Sequence, residues 1–194
     1  ISACLVGSEM CIRDSFGTHL DAPIHIVPNS ASVDQIDINR LIGEAVVLDC
    51  SFATGRGLTG ADFARAKPAV RADDIVLIYS AEQPGTSAEY LRHQTYVTPD
   101  GAAWLVKQGI KAVGVEPFSF ENLYEGIFVK HYYRTDVPGP IWPAHAICLQ
   151  DNVYILEGLG NLERIVGKRV RFCALPLPVP GSSGSPVRAV AWEE

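Results

Sequence analysis

No stretch of this sequence stays apolar for the roughly 18–20 residues that a bilayer-spanning helix needs, and no run or stripe of Lys and Arg stands out. The first absence leaves no candidate membrane helix. The second, with a formal net charge of −6, makes nucleic acid a poor choice of partner. Ile1–Val6 is apolar but short and lacks a basic flank, so it does not read as a signal peptide. There is no G-x-S-x-G elbow and no Cys beside a His in a recognisable nucleophilic pattern. The five cysteines, Cys4, Cys11, Cys50, Cys148 and Cys173, are odd in number and form no C-x-x-C pair. Cys50, Cys148 and Cys173 lie in apolar runs and are expected as buried thiols, which fits a reducing, cytoplasmic setting.

What is present suits a globular domain: 194 residues, 47% apolar and 20% charged, enough to bury a sizeable core. The first fifteen residues show neither a strand nor a helix period. Within them Cys4–Asp14 (CLVGSEMCIRD) resembles translated sequencing-adaptor read-through. Residues 1–15 are therefore expected to be a non-native leader in place of the native N-terminal segment, and 16–194 a single domain. From Phe16 the chain reads as an α/β fold with a mixed sheet and flanking helices. Phe16–Asp21 is extended, buried strands are expected at Ala45–Asp49 and Asp74–Tyr79, and further strands at Lys111–Val115, Val153–Leu156 and Arg169–Leu175. Thr59 caps a short helix to Ala66, and Thr98-Pro99-Asp100 opens a helix that Gly109 closes. Residues 138–143 (PGPIWP) read as a stiff loop leading to His145, and Asn161–Ile165 as a helical turn. Pro176–Pro186 reads as a loop, with Ser182, Ser183 and Ser185 as turn residues, before a last strand at Val187–Trp192. No internal repeat or dividing linker is visible.

The densest polar cluster in an apolar setting is 15–25, SFGTHLDAPIH. Strand alternation puts Ser15, His19 and Asp21 on one face, where an imidazole and a carboxylate can share a metal ion. Gly17 leaves room for close approach, and Pro23 ends strand pairing so that His25 can lean back over the site. Nitrogen and oxygen donors without thiolate favour Zn or Mn, less often Fe. A second cluster runs from His145 to Glu157. Glu157 ends an apolar run, where an unpaired carboxylate is costly, so it wants a cation, either Arg or metal. His93 and His131 have no ligand partner nearby and are expected at the surface. Tyr132, Tyr133 and Trp142 could line an aromatic pocket, or serve as core or subunit interface.

These residues carry a resemblance. Gly17, Thr18, His19, Asp21, Pro23 and His25 resemble the signature H-x-G-T-H-x-D-x-P-x-H of the cyclase family of metal-dependent hydrolases. That family includes bacterial kynurenine formamidases and isatin hydrolase-like enzymes. His145 and Glu157 have the family's separation, Val113-Gly114-Val115 before Ser119 resembles its mid-chain strand, and 184–189 (GSPVRA) resembles its C-terminal segment. The resemblance implies a swivelling β/β/α arrangement, commonly dimeric or tetrameric. It implies His19 and Asp21 as metal ligands, with Asp21 bridging two ions, His145 on the second ion and Glu157 between them. His25 would be the proton shuttle. One departure is plain: the first His of the signature falls on Ser15, whose hydroxyl is a poor ligand for Zn or Mn. The chain is therefore expected to bind metal more weakly than a version with His at that place.

The implied function is hydrolysis of an amide by metal-activated water, with arylformamidase action on N-formylkynurenine, giving kynurenine and formate, as the leading case. A cyclic amide or imide hydrolase, or a related carbon–oxygen lyase, is the alternative on the same scaffold. From another class, a non-catalytic binding module could keep the fold without the metal. The expected cofactor is one or two divalent ions, Zn or Mn. The expected partners are a small-molecule amide and further copies of the chain.

Overall fold

The computed structural model describes residues 17–82, 87–123 and 142–193. The expected leader at 1–15, His131, Tyr132 and Tyr133 lie outside the described residues. An eight-stranded mixed sheet organises the rest. Its centre is four parallel strands, β2 (Ile42–Asp49), β4 (Ile75–Tyr79), β6 (Ala112–Val115) and β7 (Tyr154–Glu157). On the β2 side, β8 (Arg169–Cys173) and then β10 (Val190–Trp192) add antiparallel. On the β7 side, β1 (His19–Asp21) and then β9 (Gly184–Pro186) do the same. A separate two-residue parallel ladder joins β3 (Gly57–Leu58) to β5 (Tyr96–Val97).

The central strands read as continuous apolar runs because both of their faces are covered. On one face Val46, Leu48, Val76, Ile78, Val113 and Ile155 pack with residues of the helices, among them Phe63, Ala102, Leu105, Cys148 and Leu149. Those helices are α1 (Gly60–Arg65), α3 (Pro99–Lys107) and α4 (Pro143–Gln150); a further helix, α2 (Ala88–His93), precedes β5. On the other face Leu20, Ala45, Val47, Ile75, Leu77 and Leu156 meet Val33, Ile36, Leu41, Leu159 and Leu162 from 3-10 turns and loops.

Helix starts follow their sequence signals. Thr59 and Asp62 form a reciprocal capping box on α1, and the Thr98 hydroxyl accepts the Gly101 N–H at 3.1 Å on α3, each satisfying a donor that the helix cannot. Gly109, at φ +74°, then turns the chain out of α3.

Three local expectations are corrected. Of the loop expected at 138–143, residues 138–141 lie outside the described residues and Pro143 is instead the first residue of α4, so His145 stands in that helix's first turn. Pro at this position costs nothing, because its missing N–H would have no helical acceptor. Gly184–Pro186 is a strand, not part of a loop. Its sequence has no strand pattern, and β1 imposes the conformation by offering its free edge. Ser183 and Ser185 are consequently buried. The last expected strand is split, with Val187 in an isolated bridge to Pro176 and only Val190–Trp192 in the sheet. Of the thiols, Cys50 and Cys148 are buried and Cys173 is half-buried. Among the described residues no helix is long and apolar enough to cross a membrane.

Candidate metal centre

The site forms where β1, β7 and the N-terminus of α4 meet on the helix-covered face. In the antiparallel pair β1–β7, His19 lies directly opposite Glu157 and Asp21 opposite Ile155. Directly opposed residues project to the same side, so His19, Asp21 and Glu157 share the face of Ile155, while Leu20 and Leu156 enter the other core. Strand alternation thus sorts each triplet of β1 and β7 into site and core.

The local chain holds these groups in place. The Gly17 carbonyl stands 2.8 Å from His19 Nδ1, which points Nε2 at the centre. Gly17 takes φ +74°, a conformation that costs glycine little. The same turn passes Gly158 so closely that a Cβ there would lie 2.8 Å from the Gly17 oxygen. The Thr18 hydroxyl, donating to the Gly158 carbonyl at 2.6 Å, ties β1 to the end of β7. Beyond β1, Pro23–His25 forms one 3-10 turn, which brings the His25 ring back over the strand.

All five residues singled out in the sequence converge here. His19 Nε2 is 3.2 Å from Glu157 Oε2 and 3.8 Å from Asp21 Oδ1. His145 Nε2 is 3.1 Å from Glu157 Oε1 and 3.7 Å from Asp21 Oδ2. His25 Nδ1 is 3.7 Å from Asp21 Oδ1, and its ring centre is 6.1 Å from that of His145. The cationic partners that Glu157 meets are therefore imidazoles; it also accepts the Phe120 N–H at 2.6 Å. His19, Asp21, His145 and Glu157 are buried, and His25 is half-buried at the rim. Trp142 is half-buried with its ring 6.1 Å from His145. His93 is exposed and pairs with Glu89.

Burial alone would push the His19 imidazole down, but the carboxylates of Glu157 and then Asp21 raise it to about 9. His145 is likewise kept well above its ordinary value, against full burial, by Asp21, Glu121 and Glu157. In return, and again against burial, His145 and His19 hold the Glu157 carboxyl well below the usual range. Such a cluster collects positive charge, in the form of protons or of a metal ion.

Ligand atoms of His19, Asp21 and Glu157 lie within 4.8 Å of one another. His19 Nε2, Asp21 Oδ1 and His25 Nδ1 are buried without hydrogen-bond partners. Buried polar atoms are rarely left so, and nitrogen with carboxylate oxygen is a donor set suited to Zn or Mn. The residues present therefore fit a divalent ion.

One residue escaped the sequence reading. Glu121, buried in the segment after β6, receives the His145 ring at 2.6 Å. Its only signal was a carboxylate set among Phe118, Phe120 and Leu123, two residues beyond Ser119.

Comparison with known proteins places the chain among related sequences and structures. An isatin hydrolase of Roseibium aggregatum is 27% identical over 201 residues, 94% of this chain and 73% of that protein. A kynurenine formamidase of Geobacillus thermodenitrificans is 28% identical over 173 residues, 89% of this chain and 73% of that protein. A solved structure described as a potential metal-dependent hydrolase with cyclase activity superposes with a TM-score of 0.73 at 26% identity, covering 93% of this chain and 79% of the other. The Cyclase family model matches residues 6–122, more than half of the sequence, and the chain belongs to the cyclase family.

Proposed function

We propose that this chain is a metal-dependent hydrolase of a non-peptide C–N amide bond. His19, Asp21, His145 and Glu157 supply the ligands for one or two Zn or Mn ions, and His25 moves the proton. The observation that carries the reading is the knot of buried donor atoms from His19, Asp21 and Glu157 within 4.8 Å of one another, two of them without hydrogen-bond partners. A divalent ion held there would lower the pKa of its water from about 15.7 to near 7 and polarise a carbonyl.

The remaining work falls to the protein. Leu20, Leu156 and the flanking strands keep the ligands on a rigid sheet face. His25 sits at the rim, its Nδ1 without a partner and 3.7 Å from Asp21. There it can take the proton of an attacking water and return it to the leaving nitrogen, a contribution of roughly 10²–10⁴-fold.

The substrate class proposed is an aryl formamide such as N-formylkynurenine, in keeping with the kynurenine formamidase relative. Hydrolysis of a cyclic amide is the second reading, favoured by the 27% identical isatin hydrolase. An oligomer belongs to the same proposal, supported by the exposed Val190 and Trp192 on the edge strand β10. The test is metal analysis of the purified chain together with turnover of N-formylkynurenine and isatin, followed by ultraviolet absorbance with and without chelator. Chelator-sensitive hydrolysis of either substrate, release of formate from N-formylkynurenine or ring opening of isatin, supports the reading. A chain that neither takes up zinc or manganese nor turns over either compound sinks it.

A further inference from the structure

Glu121 touches the centre without belonging to the ligand set proposed above. Its Oε1 accepts the Ala144 N–H at 2.8 Å and its Oε2 accepts the His145 N–H at 3.1 Å. The same Oε2 lies 2.6 Å from His145 Nδ1. Ala144 and His145 open α4, where leading N–H groups have no acceptor in the helix, and Trp142 at the cap position supplies no side-chain bond. Glu121 is itself anchored: its carbonyl accepts Gln94 Nε2 at 2.7 Å, and its N–H donates to Ser119 Oγ at 3.3 Å. A buried carboxylate therefore reaches a helix terminus and an imidazole at once.

We infer that Glu121 is the positioning residue of this centre: it holds the Nδ1–H of His145, turns the Nε2 lone pair toward Asp21 and Glu157, and thereby sets the affinity for metal. The inference rests on the metal-hydrolase reading. A neutral imidazole carries one N–H, and an acceptor fixed at Nδ1 decides where that hydrogen stays. Nε2, hydrogen-bonded to Glu157 Oε1 at 3.1 Å and standing 3.7 Å from Asp21, is then the nitrogen that coordinates once its hydrogen is given up. His19 reaches the same state by another device, the Gly17 carbonyl at its Nδ1. A carboxylate in that role also makes the ligand nitrogen more basic, and losing such a partner costs roughly 10–100-fold in metal affinity. A role confined to capping α4 would explain the two backbone bonds but not the contact with the ring.

Glu121→Gln separates these roles. Its amide has one acceptor oxygen for the two sides that the carboxylate serves. Either the Ala144 N–H or the His145 pair then faces an NH₂ group.

The experiment uses the full chain, with zinc as the probe in competition with a chromophoric chelator, and circular dichroism as the check on folding. Zinc affinity is expected to fall roughly 10–100-fold in Glu121→Gln, with little further loss when Glu121→Gln is added to His145→Ala, because the effect passes through the ring. Unchanged affinity in Glu121→Gln overturns the inference. So does an equal loss with and without the His145 side chain, which would mark a helix cap alone. Nitrogen-15 imidazole spectra of the unsubstituted protein, recorded with zinc bound or at a pH high enough to leave the ring neutral, decide the matter even where Glu121→Gln does not fold. A His145 that carries its hydrogen on Nδ1 is expected, and one that carries it on Nε2 overturns the inference. If the unsubstituted chain takes up no metal, the hydrolase reading fails instead, and the tautomer in metal-free protein, recorded at a pH high enough to leave the His145 ring neutral, still decides the role of Glu121.

Discussion

Metal-free protein should lose stability as the pH rises from near 6.5 to near 9. In the unfolded chain the His19 imidazole titrates at 6.5, and in the folded protein at about 9. Burial opposes that rise, but Glu157 at 3.2 Å and Asp21 at 3.8 Å outweigh it. Between the two values the folded state keeps a proton that the unfolded state has released. The stabilisation from this group is therefore complete below 6.5 and gone once the pH has passed the folded value. A displacement from 6.5 to about 9, at about 1.4 kcal/mol per pH unit, amounts to about 3 kcal/mol. At 1% exposure His19 has almost no solvent to screen it. His145 is displaced in the same direction and adds to the slope. Urea unfolding in the presence of chelator, near pH 6, pH 7.5 and pH 9, measures the effect, and His19→Gln should flatten part of it. With saturating zinc the same window should lose this slope, because the imidazoles carry no proton either in the zinc-bound protein or in the unfolded chain above 6.5. Metal-free stability that is flat or climbs across this range would refute the electrostatic account of the centre.

Replacing His25 with Ala should leave metal content unchanged and lower kcat by roughly 10²–10⁴-fold; atomic absorption and steady-state kinetics on the same sample separate the two, and lost metal would make His25 a ligand. Gly114→Ala should destabilise by about 1–3 kcal/mol through overpacking, since its Cβ would stand 2.5 Å from Leu159 Cδ1 and 3.0 Å from Leu77 Cδ2; an unchanged urea midpoint would contradict the packing described for β6. Ser15→His should tighten zinc binding in chelator competition, because an imidazole replaces a hydroxyl that is not ionised near neutral pH; equal affinity would mean that residue 15 lies away from the ion.

Much of this molecule was legible in one dimension because its elements obey short-range rules. The runs at 45–49 and 74–79 are buried on both faces, so their apolar character is continuous. The caps at Thr59 and Thr98 act within three residues of themselves. The His19–His25 cluster could be read for the same reason: alternation along β1 puts residues 19 and 21 on one side without reference to any neighbour.

The rest depends on partners distant in the chain. Gly184-Ser185-Pro186 has no strand pattern of its own and becomes β9 because β1 lends it an edge. The helix at Pro143–Gln150 leaves a weak local signal, and its first turn is secured by the carboxylate of Glu121, 23 residues earlier than Ala144. Composition and spacing determined an α/β chain with two sets of metal-type donors, because residue chemistry and strand period are local properties. Only the tertiary structure decided that Glu157 faces His19 across a strand pair and that Glu121 grips the ring of His145. Both pairings join residues more than twenty positions apart, and strand register and helix docking fix such contacts in space where no sequence period records them.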